Sequence, residues 1–97
     1  MDVRLHLAGN DFVWDSEKAQ SNRFAHGVRF EDAATVFLDP LFKLTDASRR
    51  GQARHAAIGF DHLARLLFVV HIELDGDCIR LISARPATAA EETHYAD

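Results

Sequence analysis

The sequence predicts an α+β fold in which N-terminal helices pack on an antiparallel β-sheet and a short helix closes the chain. Three observations carry this. Helical patterns fall at residues 15–25 and 31–38, ahead of the strands. Four strand-like runs follow between residues 41 and 85. An Asp75-Gly76 pair, a strong hairpin signal, joins the last two runs. The order is β-α-α-β-β-β-β-α, strands following helices rather than alternating with them.

Each element has a local reason. Residues 1–11 alternate weakly at Val3, Leu5 and Leu7 and break at Gly9-Asn10, which reads as a frayed or edge strand. Phe12, Val13 and Trp14 form a short apolar run able to pair in a sheet. Asp15 is placed to cap a helix that runs to about Ala25, with Gly27 in the left-handed position after His26. Trp14, Ala19 and Phe24 are its expected anchors. In a second helix, Glu31–Leu38, Phe30, Ala33, Ala34 and Phe37 make one apolar stripe, and Asp39-Pro40 ends it. Leu41–Leu44 reads as a strand, residues 45–52 as a polar loop, and Arg54–Phe60 as a second strand. Leu66–Leu74 is nearly all apolar, as in a strand covered on both faces. Cys78–Arg85 returns from the hairpin. Thr88 and Glu91 form a capping box for a helix to about Tyr95.

A chain of 97 residues fits a single domain over 1–97 with one shallow functional surface. The net charge of −4 argues against a general nucleic-acid binder, but the charge is uneven. Residues 43–85 carry seven basic and five acidic groups, whereas residues 86–97 carry three acidic groups and no basic one. The longest apolar run, Leu66–Ile72, is too short for a membrane span, and no secretory signal pattern opens the sequence. The expected compartment is the cytosol. The single Cys78 allows no internal disulfide and no cysteine-based zinc site. No two of the six histidines share a helix at i, i+4, so the sequence predicts no metal and no cofactor.

The candidate chemistry lies in the arginines. Arg54, Arg80 and Arg85 fall on predicted strands. Strict alternation puts Arg80 with Cys78, Ile82 and Ala84, and Arg85 with Ile79, Leu81 and Ser83. A guanidinium among apolar strand residues needs an anion, either an internal carboxylate such as Glu91, Asp46 or Glu73, or an external phosphate. His94 and Tyr95 follow close behind. An imidazole can move protons near neutral pH, and a phenol can donate a bond or stack on a base; both types also serve as plain helix-end and packing residues. Asn22 and His26 share a helix face, His26 fitting a structural helix end. Arg49-Arg50 in the polar loop is either a solvated pair or a phosphate or partner contact.

Several of these segments resemble one family. Phe12, Val13, Trp14 and Asp15, then Asn22 and His26-Gly27-Val28, match the BrnT toxins of BrnT/BrnA type II toxin–antitoxin systems. So do Phe30 to Phe37 with Asp39-Pro40, Arg54 with Ile58-Gly59, and Ile79 to Arg85 with Ala87-Thr88, Glu91 and Tyr95. The resemblance covers about residues 12–95. It implies a RelE-like fold and a metal-independent endoribonuclease in which a ribose 2′-OH attacks the adjacent phosphate. It implies a BrnA-like antitoxin as partner, RNA as substrate, and operator DNA reached only through the antitoxin. Arg54, Arg80, Arg85, Glu91 and Tyr95 match family positions; His94 is added by proximity alone. The chain departs from the family pattern at Gln52-Ala53, Pro86 and Glu92, and its C-terminal segment is acidic. These departures favour a second reading: a catalytically weakened subunit that binds the antitoxin and serves as co-repressor. A third is an unrelated function on a shared fold.

Overall fold

The computed structural model describes residues 1–97. It has the order β1 (Asp2–Leu7), β2 (Asn10–Asp15), α1 (Ser16–His26), α2 (Phe30–Ala34), a 3-10 turn (Thr35–Leu38), β3 (Lys43–Asp46), β4 (His55–Phe60), β5 (Leu66–Leu74), β6 (Cys78–Pro86) and α3 (Ala89–Ala96). The six strands form one sheet in the order β1-β2-β6-β5-β4-β3. The α+β class holds, with two corrections. The sheet is mixed, because β2 pairs parallel with β6 through Phe12–Ile79 and Val13–Arg80. The helices are not N-terminal, because a hairpin precedes them.

That hairpin replaces the frayed strand expected for residues 1–11. All six β1 residues pair with β2 across a turn at Ala8 and Gly9, whose φ values are 51° and 80°. Val3, Leu5 and Leu7 pack against the core and hold β1 down. β2 is inner and buried on both faces, which is why Phe12, Val13 and Trp14 are all apolar. The chain leaves β2 through α1, which packs back on β6, so the free edge of β2 meets the last strand in parallel.

The helix caps follow the sequence. The Asp15 carboxylate accepts the Lys18 amide at 3.0 Å, and Gly27 at φ 69° donates its amide to the Arg23 carbonyl. Two helical expectations change. The predicted helix Glu31–Leu38 is a five-residue α-helix followed by a 3-10 turn. Thr35 Oγ1 donates to the Asp32 carbonyl at 2.6 Å and tightens the chain there. Phe24 is not an anchor; it is 95% exposed. The anchor of α1 is Asn22, buried at 6% exposure, whose amide donates to the carbonyls of Val28 (3.0 Å) and Ala84 (2.9 Å) and accepts the Ala84 N–H (2.9 Å).

The core lies between α1, α2, the 3-10 turn and one face of the sheet, around Phe12, Trp14, Phe30, Leu67, Val69 and Leu81. Trp14 meets Phe30 edge-on at 5.9 Å, and Phe12 meets Phe37 at 5.3 Å. His71 is fully buried beside them. Its ring stands edge-on to Phe37 at 5.0 Å, its Nδ1 bonds the Val69 carbonyl at 3.1 Å, and its Nε2 has no partner.

Burial lowers the His71 pKa below 6.5, and the nearby His55 lowers it further, against the weaker opposing pull of the Val69 bond and Glu73. The unfolded chain therefore binds this proton first as pH falls. Stability is full above pH 6.5 and declines below it, by about 1.4 kcal/mol per unit until the folded imidazole itself titrates. His71→Leu should flatten that decline in urea midpoints measured between pH 7.5 and pH 5. An unchanged decline would assign it to other groups.

Candidate functional site

The helices cover one face of the sheet. The other face is open except at one end, where α3 lies against β4. What this open face displays is decided by a bulge in β6. Val70 pairs with Ser83 but His71 pairs with Leu81, so Ile82 is an extra residue. Side chains therefore change faces at Ile82. Ile79, Leu81 and Ala84 all point into the core, and Arg80, Ser83 and Arg85 all point to the open face. Strict alternation had separated Arg80 from Arg85; the bulge puts them on one side.

Arg85 is held from three directions. Its guanidinium carbon lies 4.3 Å above the centre of the Phe68 ring. Nη1 and Nη2 donate to Glu91 Oε1 and Oε2 at 2.7 and 2.8 Å, and Nη1 also reaches the Pro86 carbonyl at 3.2 Å. Glu91 completes the capping box of α3 by accepting the Thr88 amide at 2.9 Å. The Arg85 bonds hold the Glu91 carboxyl below its usual pKa, with the Thr88 amide adding to the effect, and Glu91 in turn raises Arg85. Glu91 is an ionised acceptor with both oxygens in use, which suits orienting Arg85 rather than moving protons.

Arg54 stands across an open groove from Arg85. It sits one residue before β4, not within it. Its Nε and Nη2 share the Gln52 Oε1 at 3.0 and 2.6 Å, so a neutral amide holds it and its charge stays uncompensated. The groove, about 400 Å³, is floored by Phe68, Val70 and Ser83 and walled by Ala47, Ser48 and Arg49.

Of the other sequence candidates, His94 lines an adjoining cavity of about 300 Å³ with Thr45, Asp46, Ile58, Phe68 and Glu91. Its ring is exposed and makes no hydrogen bond; its carbonyl accepts from Lys43. Tyr95 lines neither cavity. Its hydroxyl donates to Asp39 Oδ2 at 2.7 Å, which raises its pKa, and its ring meets Phe60 edge-on at 5.4 Å. Arg80 also lies outside the groove, bonded to Asp2 at 2.7 Å. The fold thus brings Arg54 and Arg85 together, places Glu91 and His94 beside them, and leaves Arg80 and Tyr95 apart.

Two contributors escape sequence reading. Phe68 reaches the groove only through the β5–β6 register. Asp39, expected only as a helix stop, joins three elements. Partial burial pushes its carboxyl up, but bonds from the Phe60 amide, Tyr95 hydroxyl and Leu41 amide outweigh that and hold it below the usual range. The Asp-Pro pair was the visible signal; the long-range bonds had none.

These features define a class: a small α+β domain with a helix-backed mixed sheet and an arginine-lined groove on its open face. The family model described as the ribonuclease toxin BrnT of type II toxin–antitoxin systems matches residues 14–91, and the chain belongs to that family. Membership implies an antitoxin partner. The crystal structure of the Brucella abortus ribonuclease toxin BrnT is similar, with a TM-score of 0.61 and 25% identity over 77% of this chain and 92% of that one. Among curated proteins no relative matches. β1 and most of β2 lie outside the family match. No helix is long and apolar enough to cross a membrane.

Proposed function

We propose that this chain is the toxin of a type II toxin–antitoxin pair and cleaves RNA in the Arg54–Arg85 groove, without a metal ion. One observation carries the reading: two guanidiniums face each other across one open groove, and Arg54 has no carboxylate partner. In the reaction the ribose 2′-oxygen bonds to phosphorus as the 5′-oxygen leaves. The 2′-OH proton passes to a base, the leaving oxygen takes one from an acid, and a 2′,3′-cyclic phosphate and a 5′-hydroxyl remain. The phosphate gains negative charge on the way, and a guanidinium fork meets that charge with parallel bonds.

In this reading Arg54 grips the phosphate, Arg85 stabilises its growing charge, and Glu91 positions Arg85. His94, with both ring nitrogens free, is placed to move a proton. Tyr95 holds α3 through Asp39, and Arg80 tethers β1 through Asp2. The unit is one RelE-like domain over residues 1–97. It acts in the cytosol, its partner is a BrnA-like antitoxin, and it reaches operator DNA only through that partner.

A second reading has its own observation. The Arg85 fork is already filled by Glu91, and Glu92 and Asp97 add negative charge to the C-terminal segment. That suits a weakened subunit that binds the antitoxin and acts as co-repressor. Cleavage of a defined RNA in excess EDTA separates the two. Scission by the wild type, lost in Arg54→Ala, is the expected result. Scission equal in both proteins overturns the site, and none by the wild type, with ribosomes present or absent, favours the second reading.

A further inference from the structure

We propose that the tip of the β3–β4 hairpin is a rigid arginine finger that holds phosphates flanking the cleavage point of a single-stranded RNA, with Arg49 and Arg50 as positioning residues. This rests on the ribonuclease reading and adds the form of the substrate and the means of its capture.

The sequence reads residues 45–52 as a loop, but the strand ladder continues through them. Ala47 donates its amide to the Arg54 carbonyl at 3.0 Å, and Arg49 and Gln52 exchange both backbone bonds, at 3.0 and 2.8 Å. Arg50 and Gly51 close the end with φ values of 49° and 78°, positive at both central positions as in a type I′ turn. Ser48 braces the base, donating from Oγ to Asp46 at 2.7 Å and accepting the Arg54 amide at 3.3 Å. This is an ordered projection. Arg50 takes a positive φ because a turn of this type requires it at the first central position.

The charges on the finger are free. Neither the Arg49 nor the Arg50 guanidinium makes a hydrogen bond or ion pair, and both side chains are exposed. The one carboxylate on the finger, Asp46, is bonded to Ser48. Arg49 lines the same groove as Arg54 and Arg85, with Phe68 and Val70 as an apolar floor. Arg50 lies three residues beyond the level of Arg54, about 10 Å at strand rise, so the two meet different phosphates. A basic track along an apolar floor suits a single strand, whose backbone follows the cations.

The test uses the full chain and its Arg49→Gln/Arg50→Gln double variant. Binding is read by anisotropy on a 12-nucleotide single-stranded RNA, 2′-O-methylated so that it cannot be cut. The variant should bind about tenfold more weakly at low salt, with a salt slope shallower by about 1.4 for two lost phosphate contacts. On the cleavable 12-mer, Arg50→Gln alone, whose side chain does not line the groove, should raise KM while kcat stays within about twofold. A dinucleotide with one phosphate should be cut equally by the wild type and Arg50→Gln. Unchanged affinity and slope, an equal loss on the dinucleotide, or equal binding of a 12-base-pair duplex would each overturn the proposal. So would intact RNA binding with a weakened antitoxin complex, which would make the finger a protein contact. If the wild type cuts nothing, the ribonuclease reading fails while the binding arm still decides the finger. Should the double variant melt early, Arg50→Gln alone repeats the test.

Discussion

Arg85→Ala should lower kcat/KM on single-stranded RNA by about 10²–10³, the usual cost of removing one preorganised donor from a developing charge. The size follows from how the group is held. Glu91 fixes both Nη atoms, Phe68 supports the plane from below, and the side chain is about one-third exposed. Little ordering remains to be done when substrate arrives. Arg85→Lys keeps the charge but loses the fork and should recover only part of the activity.

Glu91→Gln separates positioning from chemistry. It keeps a planar acceptor and removes one negative charge from the groove rim. KM should fall, because RNA meets less repulsion, while kcat also falls, because Arg85 is held less firmly. Wild-type kinetics in Arg85→Ala, with the melting temperature unchanged, would remove Arg85 from the site. A fall in both kcat and KM for Glu91→Gln would not arise from simple loss of fold.

How much of this was readable in the sequence depends on distance along the chain. α1 and α3 were legible because their signals are local. Asp15 lies three residues from the amide it caps, Thr88 and Glu91 form a reciprocal pair, and Gly27 sits where a left-handed residue is needed. β5 was legible because a run of apolar residues has few other uses. The parallel β2–β6 pairing was not, since Phe12, Val13 and Trp14 show that a strand is buried but not which strand covers it.

The tight turns misled for a related reason. Asp75-Gly76 marked the hairpin between Leu74 and Cys78, but positive φ falls at Gly76 and Asp77. The two-residue turn with positive φ at both positions sits at Arg50-Gly51, inside the supposed loop. The site was affected most by the bulge. Ile82 bears no glycine or proline to mark it, yet it decides which arginines share a face. Arginine type and spacing could only nominate Arg54, Arg80 and Arg85 as candidates; the register brings Arg54 to Arg85 and leaves Arg80 apart.

The early end of the β2–β6 ladder, which covers only Cys78–Arg80 of β6, explains why the largest stability effect is expected at a polar residue of α1. Asn22→Ala removes the side chain that bonds both the N–H and the C=O of Ala84, next to Arg85 in the strand, and the Val28 carbonyl as well. These backbone groups lie in the buried interior, where a lost partner costs about 1–3 kcal/mol each before relaxation. Since water can enter at the helix end, we expect a net loss of about 2–4 kcal/mol, which for a domain this size lowers Tm by about 10–25 °C. Asn22→Asp sharpens the test. It keeps an acceptor for the Ala84 amide but faces two carbonyls with a carboxylate, so it should be at least as destabilising as alanine. If Asn22 served only to fill space, Asp would be far milder, and both would stay within about 0.5 kcal/mol of wild type, as for an ordinary surface change. Because Ala84 fixes the strand next to Arg85, a folded Asn22 variant at low temperature should also lose activity through kcat rather than KM. Full activity in a folded but destabilised variant would show that the groove tolerates a loosened strand.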